Sequence, residues 1–383
     1  MRHAVCSQYA DWTESRIKNT GKETTVIVPD SKYDRWKKVF EKCPKVKVAG
    51  AKQQSQEGSE LSATRNATVV DTCIVNRDGD TIWYNLDMEA KTASVTYKGK
   101  DRYSNNKYSG SITIPKKVKC NGEKYRVTAI GKDAFLNCAG LTSVTIPNSV
   151  TTIGEWAFDG CKNLKSVVIG NSVTKIGNGA FRSCTSLTSV TIPNSVTTIG
   201  EYAFAYCKGL TSVTLPNSVT TIGERAFYNC DGLTSVTLPN SVTTIGEAAF
   251  AYCKGLTSVT IPNSVTMIDE EAFMYCTSLT SVTIPNSVTT IGKSAFAYCK
   301  GLTCVTLPNS VTTIGELAFG GSGLTSVKIP NSVTTIGNDA FGLCRNLKNI
   351  NVSKGNSHYS SENGVLFDIT KKRLIQCPCG IKG

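Results

Sequence analysis

The feature that most constrains this chain is a 23-residue repeat. Phe recurs at this constant interval from Phe135 to Phe319 and once more at Phe341, after a one-residue deletion. A Leu follows each Phe by five or six residues, and one full unit spans Leu210 to Gly232. A unit this short cannot close a core by itself. It must bury its apolar side against its neighbours in a stack of coils.

Each unit carries a strand pattern followed by a less regular stretch. Val144 and Ile146 share one face of a strand, which Pro147 ends because it has no N–H to donate. Gly154 suits a position with positive φ. The spacing of Ala157–Cys161 predicts one helical turn with a buried side. The repeat therefore predicts an α/β solenoid, with one parallel β-sheet along one side of the coil and short helical turns or irregular segments on the other.

The pattern divides the chain into five segments. Before the array, the β-rich runs at 81–86 and 93–97 predict a cap that covers the apolar edge of the first coil. Further upstream we predict a strand at 24–29 and an amphipathic helix over 33–43. The predicted segments are a strand–helix piece over 1–49, a polar linker over 50–67, a β-rich N-terminal cap over 68–126, the array of about ten units over 127–350, and a closing unit over 351–383. One interpretation of the first segment is that it is the tail of a preceding array.

Charge and histidine content argue against several classes of function. The net charge is +13, but residues 127–350 hold 13 Lys and Arg against 12 Asp and Glu, whereas residues 1–126 hold 24 against 15. We expect the basic N-terminal third to be a solvated face, with no nucleic-acid partner. The two histidines, His3 and His358, leave little for imidazole chemistry. No run approaches the roughly 18 apolar residues of a membrane-spanning helix, so we expect no membrane insertion.

Nine of the 16 cysteines occupy one repeat position, and Ser322 replaces the tenth. Stacked coils would bring their Cα atoms to about 5 Å, within disulfide range, but side chains in a ladder point the same way. We therefore expect buried, unpaired thiols that behave as small hydrophobes. Cys304 replaces an outward Ser and should be exposed. Because Cys377 and Cys379 have no second pair nearby, we expect no metal site.

The unit Leu-x-x-Val-x-Ile-Pro-x-Ser-Val-x-x-Ile-Gly-x-x-Ala-Phe-x-x-Cys resembles the treponemal-type leucine-rich repeat of the BspA-like surface proteins. The resemblance covers about residues 110–383, with departures at Asp269, Ser322, Lys328 and Asn351. It implies a right-handed leucine-rich-repeat coil, a cell-surface or secreted location, adhesion to host proteins, host cells or other microbes, and no catalytic residues. The start of the chain has no apolar run behind its positive charge, so we recognise no signal peptide there and expect an incomplete reading frame.

Three functions fit these features to different degrees. A long solenoid offers extended surface and no buried cleft, which favours a non-catalytic binding or adhesion scaffold for protein or glycan ligands on host or microbial surfaces. The alternative is a mainly structural array that spaces other modules or self-associates. An enzyme is disfavoured because GxSxG, HExxH and Walker motifs are absent from the sequence. We predict no catalytic residue, no cofactor and no metal, and the pattern fixes no oligomeric state.

Tyrosines at one repeat position are the candidate contact residues. The position before the Cys holds Tyr in four units, and stacking would align these rings in a stripe that Asn229 interrupts. Tyr combines contact area with a polar tip, as interface residues often do. The same rings could instead pack on adjacent coils and shield the Cys row. The outward strand residues, such as Ser212 and Thr214, are a second possible contact face. The predicted ligand-binding residues are Tyr206, Tyr252, Tyr275 and Tyr298.

Overall fold

The computed structural model describes residues 16–19, 24–28, 46–50, 69–75, 81–98 and 107–380, in two units, Met1–Asn66 and Ala67–Gly383. The first unit contains β1 (Arg16–Asn19), β2 (Thr24–Val28) and β3 (Val46–Gly50). β1 pairs antiparallel with β2, and β2 pairs parallel with β3. β2 lies within the strand predicted there. The helix predicted over 33–43 and the linker after residue 50 lie outside the described residues.

The second unit begins with a cap of mostly antiparallel strands. They are β4 (Val69–Val75), β5 (Thr81–Asp87), β6 (Thr92–Thr96), β7 (Ser109–Thr113), β8 (Lys117–Cys120) and β9 (Glu123–Ile130). β4, β5 and β6 form an antiparallel meander, and β6 then pairs parallel with β9. The side chains of Tyr84 and Tyr125 are fully buried in this cap. Because β9 also pairs parallel with the first Thr-Ile strand of the array, Thr152–Ile153, the cap covers an edge that would otherwise be open.

In the array, most coils contribute two short strands. These are β10 (Gly140–Thr145), β11 (Thr152–Ile153), β12 (Ser166–Val168), β13 (Lys175–Ile176), β14 (Ser189–Thr191), β15 (Thr198–Ile199), β16 (Ser212–Thr214), β17 (Thr221–Ile222), β18 (Ser235–Thr237), β19 (Thr244–Ile245), β20 (Ser258–Thr260), β21 (Met267–Ile268), β22 (Ser281–Thr283), β23 (Thr290–Ile291), β24 (Thr313–Ile314), β25 (Ser326–Ile329), β26 (Thr335–Ile336) and β27 (Asn349–Val352).

These strands form two parallel ladders, where the sequence predicted one sheet. The Ser-Val-Thr strands pair residue for residue with the next coil, as in Val213 with Val236. The Thr-Ile strands form the second ladder, as in Ile199 with Ile222. The second ladder was missed because two residues per coil give no visible alternation of apolar and polar side chains. The result is a β-solenoid of about ten turns.

The helical turn predicted over Ala157–Cys161 is wrong, and no helix occurs anywhere in the described residues. Trp156 and Gly160 both have positive φ, 54° and 72°, which a right-handed helix excludes. Alternate N–H groups donate to the next coil, as from Phe158 N to the carbonyl oxygen of Ala180 at 2.7 Å. The third side of each coil is thus a stack of turns joined by hydrogen bonds between coils. An i, i+1, i+4 apolar pattern cannot distinguish this arrangement from one helical turn.

The prediction that Gly154 occupies a position with positive φ is wrong, because its φ is not positive. Glycine is required here because two backbones pack closely. A Cβ placed there would lie 2.8 Å from the carbonyl carbon of Gly131 and from Lys132 N. Asp269 stands at the equivalent position, and the Thr-Ile ladder is interrupted there, between β19 and β21. The glycines of this repeat position, from Gly131 to Gly337 with Asp269 as the exception, form the glycine column, and this column sets how closely successive coils approach.

The core is a continuous stack of side chains along the array. Ten Phe rings, from Phe135 to Phe341, are fully buried and stack nearly parallel on one another, with centroids 4.7 to 5.7 Å apart. The nine cysteines of the repeat position are unpaired and buried, as predicted, and Cys304 is exposed. Each thiol from Cys161 to Cys299 donates to the carbonyl oxygen of a Phe in the preceding coil, as from Cys230 Sγ to Phe204 O at 3.2 Å.

A three-stranded antiparallel sheet closes the array. It comprises β28 (Tyr359–Glu362), β29 (Val365–Asp368) and β30 (Leu374–Gln376). Asn356 donates to the carbonyl oxygens of Pro330 and Val333, and Leu366 is fully buried against the last coil. The described part of the chain contains no helix long and apolar enough to cross a bilayer.

Candidate functional site

The structure brings the four predicted tyrosines onto one face of the turn side, each half-buried. The rings of Tyr252 and Tyr275 stack with centroids 4.7 Å apart and planes within 14°. Those of Tyr275 and Tyr298 stack at 4.5 Å and 13°. The backbone enforces this spacing, since Tyr252 N donates to the carbonyl oxygen of Met274 at 2.7 Å and Tyr275 N donates to that of Ala297 at 2.8 Å.

Tyr228 fills the gap that Asn229 leaves, and the sequence analysis missed it. Its ring lies 5.5 Å from that of Tyr206 and 5.2 Å from that of Tyr252. Tyr228 stands one position before Asn229, at a different place in the repeat, so a search down one column passes over it. We call Tyr206, Tyr228, Tyr252, Tyr275 and Tyr298 the tyrosine column. Its five rings extend about 20 Å along the solenoid.

A cation and a tryptophan continue the tyrosine column towards the N-terminal cap. The guanidinium of Arg182 lies 5.4 Å from the ring centre of Tyr206 and 5.8 Å from that of Trp156. Arg182 is also paired with Asp159 at 3.4 Å. Such cation–π contacts hold exposed side chains in place by roughly 0.5–1 kcal/mol each. The two contacts of Arg182 therefore hold the rings of Tyr206 and Trp156 in place at this end of the aromatic surface.

The backbone beneath four of the five rings, all except Tyr228, is unfavourable for tyrosine. All ten residues at this repeat position have φ between 56° and 72°. The left-handed region costs a residue other than glycine roughly 1–2 kcal/mol, and Asn tolerates it better than most. Units without Tyr hold Asn137, Gly160, Ser183, Asn229, Gly321 and Leu343 here. Four tyrosines therefore persist where the backbone itself favours Gly or Asn.

Two phenols of the tyrosine column, those of Tyr228 and Tyr252, have raised pKa values. Partial burial is the main cause that raises the pKa of Tyr228 and of Tyr252, and neighbouring phenols add to it. Tyr228 and Tyr252 thus offer neutral hydroxyl donors and acceptors to a ligand. Lysines border it at the next repeat position after the Cys, at Lys208, Lys254 and Lys300.

The strand face is the other surface that the sequence singled out. Ser212 and Thr214 flank the buried Val213, and both are exposed. A different set of hydroxyls bonds to the backbone of the preceding coil, as from Thr234 Oγ1 to Thr211 O at 3.2 Å. Part of the Ser and Thr content is therefore structural. Among the described residues, no group of three or more His, Cys, Asp or Glu is arranged to hold a metal.

Comparison with known proteins identifies the repeat. The model of the BspA type leucine rich repeat region matches over residues 128–257, 175–300 and 243–363. The chain belongs to the BspA-type leucine-rich-repeat family. The resemblance expected from the sequence is thereby confirmed. No significant match was found among curated proteins.

Several solved structures of leucine-rich-repeat proteins are similar to this chain. A leucine-rich cell surface protein from Faecalibacterium prausnitzii is 30% identical, over 77% of this chain and 96% of that one, with a TM-score of 0.38. A leucine-rich repeat protein from Bacteroides ovatus is 26% identical over 72% and 94%, with a TM-score of 0.31. The leucine-rich repeat protein of T. pallidum is 26% identical over 57% and 86%, with a TM-score of 0.41. A binding or scaffold role is typical of leucine-rich-repeat surface proteins.

Proposed function

We propose that this chain is a non-catalytic binding scaffold at the cell surface, which adheres to host or microbial surfaces through the tyrosine column. One observation carries the proposal: five half-buried rings form a continuous column of ring contacts, and four of them stand on a backbone that disfavours tyrosine. Ring stacking offsets part of that cost, at about 0.5–1.5 kcal/mol for each pair. Tyrosines with ordered rings and polar tips are typical of contact centres. The description of the F. prausnitzii relative as a cell surface protein supports the location.

The test uses residues that the chain itself places in this column. Tyr206→Asn together with Tyr252→Asn should leave the fold intact, because Asn229 already occupies the same left-handed position. Binding of the full chain to an array of glycans and extracellular-matrix proteins should weaken at least about tenfold. Circular dichroism and thermal melting check the fold.

The matched control lies on the strand face, where Thr214→Asn and Thr260→Asn change two exposed residues. This pair should leave binding unchanged. If it weakens binding while the tyrosine variant does not, the contact surface is the strand face and the tyrosine column is wrong. If the full chain binds nothing on the array, the alternative of a mainly structural repeat array is favoured over adhesion.

A further inference from the structure

The tyrosine column ends in a groove at the coil that is one residue short. That coil places Gly321 at the tyrosine position, and the deletion removes the position of the bordering lysines, since Gly323 directly precedes Leu324 as Gly301 precedes Leu302. Gly321 has a φ of 66°, and a Cβ there would lie 2.7 Å from the ring of Tyr298. A Cβ on Gly323 would clash with the carbonyl oxygen of Lys300. Both columns are therefore interrupted in the same coil.

The interruption creates a groove of about 590 Å³ between the coils on either side. Tyr298 forms one wall and Leu343 the other. Leu343 is 59% exposed, which is unusual for a large apolar side chain in this array. The volume lies within the range of sites that hold small ligands.

The groove carries uncompensated positive charge. Lys300 and Arg345 flank it at the same repeat position, two coils apart, and its lining contains no carboxylate. Neither cation forms an ion pair with any described residue, whereas Lys254, at the same repeat position, lies 3.5 Å from Asp231. The side-chain amide of Asn346 adds both a donor and an acceptor to the lining.

We propose that this groove binds a carboxylated sugar residue of an acidic polysaccharide. The C–H face of the sugar ring packs between Tyr298 and Leu343, since the negative face of an aromatic ring attracts polarised C–H groups. The carboxylate pairs with Arg345, whose planar fork matches it, and with Lys300. Asn346 bonds ring hydroxyls. The inference rests on the proposed function, because the last ring of the tyrosine column is a wall of the groove.

The experiment is calorimetric titration of the full chain with trigalacturonate. We expect binding that weakens with added salt. The fully methyl-esterified trisaccharide has the same ring without the charge and should bind at least about tenfold more weakly. Arg345→Gln should cause a similar loss, and Tyr298→Asn should also weaken binding. Lys208→Gln, at the same repeat position as Lys300 but distant from the groove, should leave it unchanged.

Three results would overturn the assignment. They are no binding of trigalacturonate, equal binding of the methyl ester, and tighter binding of triglutamate, which would make the groove a site for acidic peptides. The array experiment separates the two proposals, because Tyr206 and Tyr252 do not line the groove. If their substitution abolishes array binding while trigalacturonate fails to bind, only the groove assignment fails. If the groove substitutions weaken trigalacturonate binding as expected, but Tyr206→Asn with Tyr252→Asn leaves array binding unchanged, the tyrosine-column proposal fails.

Discussion

At the scale of single residues, the cysteine position shows why one side chain type recurs. The thiol of Cys253 donates to the carbonyl oxygen of Phe227 at 3.1 Å, and the carbonyl of Phe227 lies in the preceding coil. The site thus requires a small, largely apolar side chain that still carries one donor. Ser322 meets the same requirement, and its hydroxyl contacts Cys344 Sγ at 3.3 Å. Cysteine at this position is part of the bonding between coils.

The first prediction concerns the reactivity of these thiols. Burial raises the pKa of Cys207 to about 12, so almost no reactive thiolate exists there at pH 8. Iodoacetamide should modify the exposed Cys304 within minutes at that pH and leave Cys207 unmodified in the folded chain. Peptide mass spectrometry after timed quenching measures both sites, and the chain unfolded in guanidinium is the control. Equal labelling of the two sites in the folded chain would show that the cysteine row is open to solvent.

The same shift makes stability depend on alkaline pH. The folded thiol of Cys207 keeps its proton up to about pH 12, whereas the unfolded thiol loses it near pH 9. The folded state therefore binds more protons between these values, and the free energy of unfolding should fall as the pH rises through this window. Urea titrations of the parent and of Cys207→Ser at several pH values measure the effect. The variant should show a smaller fall, and an identical fall in both would remove Cys207 as a cause.

At the scale of the coil, the glycine column sets the distance between neighbours. Gly223 N donates to the carbonyl oxygen of Ile199 at 3.0 Å, and a Cβ on Gly223 would lie 2.8 Å from Glu201 N. The natural exception, Asp269, coincides with the break in the Thr-Ile ladder. A Cβ at this position and a continuous ladder are therefore in conflict.

Gly223→Ala should destabilise the array by about 1–3 kcal/mol, because overpacking against a backbone cannot relax as a flexible side chain can. Thermal and urea unfolding measure the change. The matched control is Asp269→Ala, where the ladder is already interrupted and only the hydrogen bond from Glu270 N to Asp269 Oδ1 is lost, so the change should be about 1 kcal/mol or less. If the two substitutions have equal effects, close backbone contact is not the reason for glycine.

At the scale of the whole molecule, the phenylalanine stack holds the coils together. Phe227 lies at 5.3 Å from both Phe204 and Phe250. Each coil contacts mainly its two neighbours, so stability is a sum of local terms along the array. Loss of one central ring weakens two interfaces at once.

Phe227→Ala should cost about 3–5 kcal/mol and split unfolding into more than one transition. Phe341→Ala is the control, because Phe319 is the one aromatic ring in the described residues that stacks on Phe341, and its loss should affect only the C-terminal end. Calorimetry, together with hydrogen exchange followed by peptide, locates the loosened coils. A melting temperature for Phe227→Ala within a degree or two of the parent would contradict the claim that the stacked Phe rings stabilise the interfaces between coils.

The sequence by itself determined the repeat, the buried set and the family. The 23-residue period places Phe, Leu and Cys of successive units at the same position around successive coils, and only a stack of coils can bury such a set. The unpaired state of the cysteines also followed from the period, since ladder side chains point in one direction. The four tyrosines of one repeat position could be aligned for the same reason.

Only the tertiary structure decided what lies between those positions. Hydrogen bonds between coils, and not a local propensity, replaced the expected helical turn and made the second ladder. Tyr228 joined the tyrosine column because side chains from different repeat positions meet in space. The groove beside Gly321 arises from two glycines and a deletion acting together. A repeat pattern fixes which residues share a position around successive coils. Contacts between residues at different positions depend on backbone geometry that the pattern does not contain.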